Sequence, residues 1–115
     1  MAKILDKHLD ENRNIEVYKK IFNSIDLTTL KSTDSQQSVA NFTERVNAFE
    51  QEHGDLPNVA AICVYPNFVP VVRTVLECSD VDIAAVAGCF PSSQSFIEGK
   101  VAEIGLAVEA GADEI

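Results

Sequence analysis

Lysines are the residues of this sequence that could act as nucleophiles in carbonyl chemistry. A lysine amine becomes nucleophilic at neutral pH when an apolar, desolvated setting or a neighbouring cation lowers its pKa. None of the six lysines falls within a predicted apolar strand; they lie in predicted helices, in loops or among the first residues: Lys3, Lys7, Lys19, Lys20, Lys31 and Lys100. The sequence therefore predicts no activated lysine of its own.

Cysteine and histidine show no site-forming pattern either. The three cysteines, Cys63, Cys78 and Cys89, are odd in number and contain no C-x-x-C pair. This argues against a disulfide framework and against a thiolate zinc site. His8 and His53 are far apart and have no companions at ligand spacing, so we predict no metal site.

The elements that must position any site begin with three amphipathic helices. The first runs over residues 14–25 with Asn14 as its N-cap. Thr33 and Gln36 have the spacing of a capping box and predict the start of a second helix, which ends near residues 52–53. A third helix covers 68–77 and carries Pro70 in its first turn, where proline is tolerated.

A fourth helix is predicted from Ser95 to Ala110. Ser95 and Glu98 again have capping-box spacing. Its apolar residues recur at helical spacing and predict one apolar face formed by Ile97, Val101, Ile104 and Val108.

Extended segments alternate with these helices. The short stretch "DLTTL" (26–30) contains β-branched threonines, and the runs 59–66 and 81–88 are apolar without alternation, as in strands covered on both faces. "ADEI" (112–115) reads as the start of another strand. The order predicts right-handed βαβ units and a parallel sheet.

Two architectures fit this order: a doubly wound open sheet or a (β/α)8 barrel. The glycine-rich phosphate loop that commonly marks the first alternative is absent, since neither G-x-G-x-x-G nor G-x-x-x-x-G-K-[ST] occurs. A barrel requires about 250 residues. We therefore predict that residues 1–115 form a single partial domain of the α/β class.

Composition narrows the range of partners. The net charge is −9, with 18 acidic against 9 basic residues. Nucleic acids and anionic lipids require basic patches, so we predict neither as a partner. The first residues lack the apolar core of a secretory signal and no run is long enough to span a bilayer, which predicts a cytoplasmic protein.

Three motifs carry a resemblance to a known family. "DLTTL" (26–30), "AAICVYP" (60–66) and "GADEI" (111–115), in this order and with these gaps, closely resemble the N-terminal half of deoxyribose-phosphate aldolase. The family is a class I aldolase on a (β/α)8 TIM barrel. The resemblance implies a partial barrel with N-terminal helices, strands 1–3 and the start of strand 4.

The resemblance implies a reaction and a mechanism. The family reversibly cleaves 2-deoxyribose 5-phosphate to glyceraldehyde 3-phosphate and acetaldehyde through a lysine Schiff base, whose iminium accepts the electrons of the breaking bond. No cofactor is needed. In the family, the Schiff-base lysine and the lysine that tunes its pKa lie on later strands, and the relay aspartate follows "GADE-I/V". All three would lie beyond Ile115, so the chain alone is expected to be inactive.

The pocket wall is the part of the site that this chain would contain. Asp26 is expected to relay protons or bind substrate, and Thr28 and Cys63 to line the pocket beside the barrel mouth. Each has a structural alternative: an aspartate capping a turn, a threonine present for β propensity, and a buried inert thiol.

Three further carboxylates outside the pocket wall can be explained by structural roles. Asp113 and Glu114 are expected to open a strand rather than to catalyse. Glu103 lies on the helix after strand 3, where relatives often carry a carboxylate, and its alternative is a solvated or salt-bridging acid.

A partial barrel leaves one sheet face uncovered, and the sequence predicts exposed apolar surface at 59–65 and 81–87. Either the missing barrel half or further copies of the chain would cover it. The alternative function is therefore a non-catalytic, self-associating half-barrel, and the expected partners are a phosphorylated sugar for the complete enzyme and a homo-oligomeric subunit.

Overall fold

The computed structural model describes residues 2–115 as five α-helices and three short strands. The helices are α1 (Ala2–His8), α2 (Ile15–Phe22), α3 (Gln36–Glu52), α4 (Val69–Val75) and α5 (Ile97–Glu109), and the strands are β1 (Asp26–Thr28), β2 (Ala61–Val64) and β3 (Asp82–Ala85). A 3-10 turn, Pro66–Phe68, leads into α4. The predicted alternation of helices and strands is confirmed.

The three strands form one parallel sheet in the order β1-β2-β3. Thr28 is level with Cys63, and Cys63 with Ala84. A parallel bridge between Ala84 and Glu114 adds the first residue of a fourth strand. This arrangement confirms the predicted partial barrel with three strands and the start of a fourth.

One face of the sheet is packed by α3, α4 and α5. Ile62 and Val64 of β2 and Ile83 of β3 are fully buried in the core that this packing forms. The helices contribute Val39, Val46, Val69, Val72 and Ala107 to the same core. Because side chains alternate along a strand, the residues between these apolar positions point to the opposite side.

The opposite side of the sheet, called the open face below, carries small and polar residues. They are Asp26, Thr28, Ala61, Cys63, Asp82 and Ala84. The prediction that residues 59–65 and 81–87 would expose apolar surface is wrong: the large side chains of β2 and β3 turn into the helix layer. Only alanines and a cysteine of β2 and β3 occupy the apolar positions of the open face.

Most of the exposed large apolar side chains lie on helices instead. The predicted apolar face of α5 is not covered: Ile97, Val101, Ile104 and Val108 are all exposed, and only Ala107 of this helix is fully buried. On and next to α2, Ile15, Tyr18, Ile21 and Ile25 are also exposed. The apolar surface that further protein could cover therefore lies on α2 and α5.

Helix ends agree with the sequence at some positions and not at others. The Asn14 side chain caps α2 by accepting from Val17 N at 3.0 Å, as predicted. The capping box of α3 is wrong in position: Ser35 is the N-cap, and Ser35 and Ser38 each accept from the other's backbone N–H. At α5, Phe96 is the N-cap without a side-chain bond, so the predicted box of Ser95 and Glu98 does not form.

Several predicted bounds are too long. Helix α2 ends at Phe22 rather than at residue 25, and the strands occupy only 26–28, 61–64 and 82–85. The end of α3 at Glu52, with His53 as its cap, and the place of Pro70 in the first turn of α4 are as predicted.

Candidate functional site

The open face brings the three predicted site residues together. Asp26 and Thr28 lie two residues apart on β1, so their side chains share a face. Cys63 is the register partner of Thr28 on the neighbouring strand. The row that contains Thr28 continues through Cys63 and Ala84 to Glu114, and therefore crosses all three strands and the start of the fourth.

Asp26 lies in a second row, together with Ala61 and Asp82. Each of these residues is the first of its strand, so this row lies at the amino ends. Barrel enzymes build their sites at the carboxyl ends of the strands. Thr28 and Cys63 are two residues nearer to that end than Asp26.

The side chains of Thr28 and Asp26 both affect the pKa of Cys63. Burial raises the pKa of the Cys63 thiol, the neighbouring hydroxyl of Thr28 lowers it, and the negative charge of Asp26 raises it further. The Thr28 hydroxyl also donates to the Asp26 carbonyl oxygen at 2.9 Å. The net effect is a raised pKa, so Cys63 is a neutral thiol at pH 7.

The loop after β3 forms the rim beside this face and is held by α5. Gly88, Cys89 and Ser93 all have positive φ. Glu103 Oε2 accepts from Cys89 N at 2.9 Å, and Lys100 Nζ donates to the Ser93 carbonyl oxygen at 2.7 Å and to its hydroxyl at 3.0 Å. Glu103 is half-buried and, within residues 2–115, forms no salt bridge; its carboxylate anchors the loop.

Sequence reasoning missed Asp82 and Lys100. The side chain of Asp82 lies on the open face in the same row as Asp26, and register alone reveals this. The loop-anchoring role of Lys100 depends on the irregular backbone of residues 88–93, for which the sequence offers no periodic signal. None of the six lysines is buried.

Within residues 2–115, no group of three or more histidine, cysteine, aspartate or glutamate side chains is arranged to hold a metal ion. In the same range, no helix is both long enough and apolar enough to cross a membrane.

Cys78 is expected to be alkylated much more slowly than Cys89 at pH 8. It is only 5% exposed, and burial together with the charge and hydrogen bonding of Glu50 and the charge of Asp80 raises its pKa to about 11. At pH 8 roughly one thiol in a thousand would be the reactive thiolate. Timed iodoacetamide labelling followed by peptide mass spectrometry measures both rates, and equal rates would contradict this environment.

The fold and the open face define the class of protein. Parallel strands with helices on one side, and a fourth strand beginning beside β3, form part of a (β/α)8 barrel whose interior face carries Asp26, Thr28 and Cys63. The comparisons with known proteins agree with this assignment.

By sequence, the chain is 32% identical to a Caenorhabditis elegans protein that is named as a deoxyribose-phosphate aldolase. The match covers the whole of this chain and 39% of that protein. No protein-family model matches the chain.

By structure, the chain superposes on a Coccidioides immitis protein named for the same activity, with a TM-score of 0.65 and 26% identity over 84% of this chain. It also superposes on the Aeropyrum pernix deoxyribose phosphate aldolase, with a TM-score of 0.69 and 24% identity over 95% of this chain, which shows the shared fold. The chain spans only 34% and 42% of these two proteins. It is thus related to the deoxyribose-phosphate aldolases and corresponds to an N-terminal portion of their barrel.

Proposed function

We propose that this chain supplies part of the substrate pocket of a 2-deoxyribose-5-phosphate aldolase, a lyase that acts when the barrel is complete. The observation that carries the proposal is the convergence of Asp26, Thr28 and Cys63 on the open face, which becomes the barrel interior. The small side chains of Ala61 and Ala84 lie next to these groups on the same face.

The proposed reaction is the reversible cleavage of 2-deoxyribose 5-phosphate to glyceraldehyde 3-phosphate and acetaldehyde. A lysine outside these 115 residues attacks the substrate carbonyl, water leaves, and an iminium forms. A base then takes the proton of the C3 hydroxyl, the C2–C3 bond breaks and glyceraldehyde 3-phosphate leaves, while the iminium accepts the electron pair of that bond and becomes an enamine. Protonation of the enamine and hydrolysis then release acetaldehyde and the free amine. The phosphate group would be held by later barrel loops.

Asp26 contributes a carboxylate that relays protons or binds a substrate hydroxyl. Thr28 presents a hydroxyl, and Cys63, held as a neutral thiol, closes the wall between the two strands. None of the six lysines is buried, which supports a nucleophile that lies elsewhere. The 115-residue chain alone is therefore proposed to be inactive, and the complete enzyme to need no cofactor.

A second candidate is a non-catalytic half-barrel that self-associates. The exposed apolar residues of α2 and α5 favour it, because such surface is commonly covered by protein. The Aeropyrum pernix relative is described as having a unique tetrameric structure. We propose a homo-oligomer in the cytoplasm for the complete enzyme, and the missing barrel half as the partner of this chain alone.

The test is a completed barrel, which joins this chain to the C-terminal remainder of the Caenorhabditis elegans relative. We expect the completed barrel to release glyceraldehyde 3-phosphate from 2-deoxyribose 5-phosphate, and the 115-residue chain to release none. Circular dichroism of each protein controls for folding. A folded completed barrel that cleaves no 2-deoxyribose 5-phosphate would contradict the proposal.

If the completed barrel does not fold, the two parts are expressed separately and mixed. Cleavage that appears on mixing supports the proposal, whereas two folded parts that associate without cleavage contradict it. Self-association of the 115-residue chain is measured in parallel by sedimentation equilibrium and distinguishes the second candidate.

A further inference from the structure

Arg73, at the end of α4, connects that helix to the segment that begins the fourth strand. Its guanidinium donates to the Gly111 carbonyl oxygen and, at 2.7 Å, to Asp113 Oδ2. Within residues 2–115, no other arginine forms an ion pair. One side chain thus contacts both ends of the turn that leads from α5 into strand 4.

Asp113 links Arg73 to β3 of the sheet. The same oxygen, Oδ2, accepts from Ile83 N at 2.9 Å, and Asp113 N donates to the Ile83 carbonyl oxygen at 2.8 Å. Burial would raise the pKa of Asp113, but the hydrogen bonds from Ile83 and Arg73 and the charge of Arg73 lower it overall. Asp113 therefore stays ionised at neutral pH and holds both partners.

Gly111 is required where it stands. Its φ is +103°, a conformation that other residues rarely adopt. A Cβ at this position would lie 3.2 Å from Arg73 Nε, which is closer than ordinary contact. The glycine therefore gives the chain both the sharp turn and the close approach of the arginine.

The consequence of these contacts is the register of strand 4. Next to Asp113, Glu114 accepts from Ala85 N at 3.0 Å and pairs with Ala84, so that it extends the row of Thr28 and Cys63. A shift of one residue would turn every following side chain to the other face. The contacts of Asp113 fix which residues of strand 4 face the interior.

We propose that Arg73 is a positioning residue that sets the register of the fourth strand through Gly111 and Asp113, and thereby places the interior-facing groups of that strand level with Thr28 and Cys63. The inference concerns the register of this chain, and its catalytic consequence rests on the proposed aldolase function. Arg73 lies in the helix layer and touches no substrate; it acts through the strand.

Amide hydrogen exchange of the 115-residue chain tests the register directly. In Arg73→Gln we expect the Ala85 amide, which donates to Glu114, to exchange about tenfold faster than in the parent chain. The Val86 amide, which donates to Val64 across the β2–β3 pair, is expected to be unchanged. Arg45→Gln is the matched control, because Arg45 is exposed on α3 and makes no contact with strand 4.

Arg73→Lys keeps the positive charge but replaces the guanidinium, whose Nη2 donates to both oxygens, by an ammonium group on a different side chain. We expect it to restore part of the Ala85 protection. Faster exchange at Ala85 and Val86 alike in Arg73→Gln, or no change at either, would overturn the proposal. Should Arg73→Gln not fold, Asp113→Asn is read in the same way, because it removes the other half of the ion pair.

The completed barrel supplies a second readout that general destabilisation would not produce. Arg73→Gln is expected to lower kcat about tenfold with KM within about twofold, because under the proposed function the relay aspartate would follow Ile115 on strand 4, whereas the phosphate would be held by later loops. An unchanged kcat would overturn the catalytic part of the proposal. A completed barrel without any activity would count against the aldolase function alone, since the exchange result on the 115-residue chain stands apart from it.

Discussion

Replacing Asp26 by asparagine in the completed barrel should lower kcat by about 10²–10⁴-fold, the usual contribution of a positioned acid–base group. Asparagine has nearly the same shape and retains hydrogen-bonding atoms, but it cannot take up and release a proton at neutral pH. Asp26 is exposed on the open face of the 115-residue chain, so the change removes no core contact. Steady-state kinetics with 2-deoxyribose 5-phosphate measures the effect.

Asp82→Asn is the matched control for that experiment. Asp82 lies in the same row of the open face as Asp26, separated from it by Ala61. It has the same charge and is also exposed, but we assign it no role in the reaction. Equal losses in the two variants would indicate a general electrostatic effect of the acidic face and would contradict a specific role for Asp26.

The second large effect is on stability. Ile62→Ala is expected to lower the free energy of unfolding of the 115-residue chain by about 2–5 kcal/mol, since it removes a fully buried side chain and leaves a cavity between the sheet and its helices. Ile97→Ala on α5, where the side chain is 65% exposed, is expected to change it by less than about 0.5 kcal/mol. Urea denaturation followed by circular dichroism measures both.

The same pair of variants separates the monomer from a self-associating half-barrel. In a monomer, the small effect of Ile97→Ala does not depend on protein concentration. If α5 packs against a second copy, the parent chain gains stability as its concentration rises and Ile97→Ala gains less. The difference in the free energy of unfolding between the two then grows with protein concentration. A loss from Ile97→Ala as large as that from Ile62→Ala would contradict the exposed position of α5.

The sequence predicts the order of elements well because that order depends on periodicity. Apolar runs at 59–66 and 81–88 have no helical spacing, and the strands form inside them at Ala61–Val64 and Asp82–Ala85. Asn14 caps α2 as predicted, because an amphipathic run begins directly after it. The strands are shorter than the apolar runs, because apolar residues continue into the irregular segments before and after each strand.

Capping boxes are harder to place from sequence. Spacing of the S/T-x-x-E/Q kind occurs at Thr33 and at Ser95, but a box forms only where the backbone turns into the helix. In α3 that residue is Ser35, and its partner is another serine, Ser38. In α5 the helix begins one residue later than the box requires, so Ser95 is not adjacent to the first turn.

Periodicity also cannot say what covers an apolar face. The stripe of α5 at Ile97, Val101, Ile104 and Val108 has the spacing of a buried face, yet all four side chains are exposed. Helical spacing shows that one side of a helix is apolar. It does not show whether the protein surface that packs against that side belongs to the same 115 residues. Strand pairing places Thr28 beside Cys63, with Asp26 on the same face one row away. The roles of these three residues in a site stay predictions.

Borohydride trapping tests the central claim, that this chain forms a pocket wall without its own nucleophile. The 115-residue chain and the completed barrel are each treated with 2-deoxyribose 5-phosphate and sodium borohydride, and the adduct is located by peptide mass spectrometry. We predict no adduct on the chain alone, and a single adduct in the completed barrel on a lysine outside residues 1–115. An adduct on any of the six lysines of this chain would contradict the account.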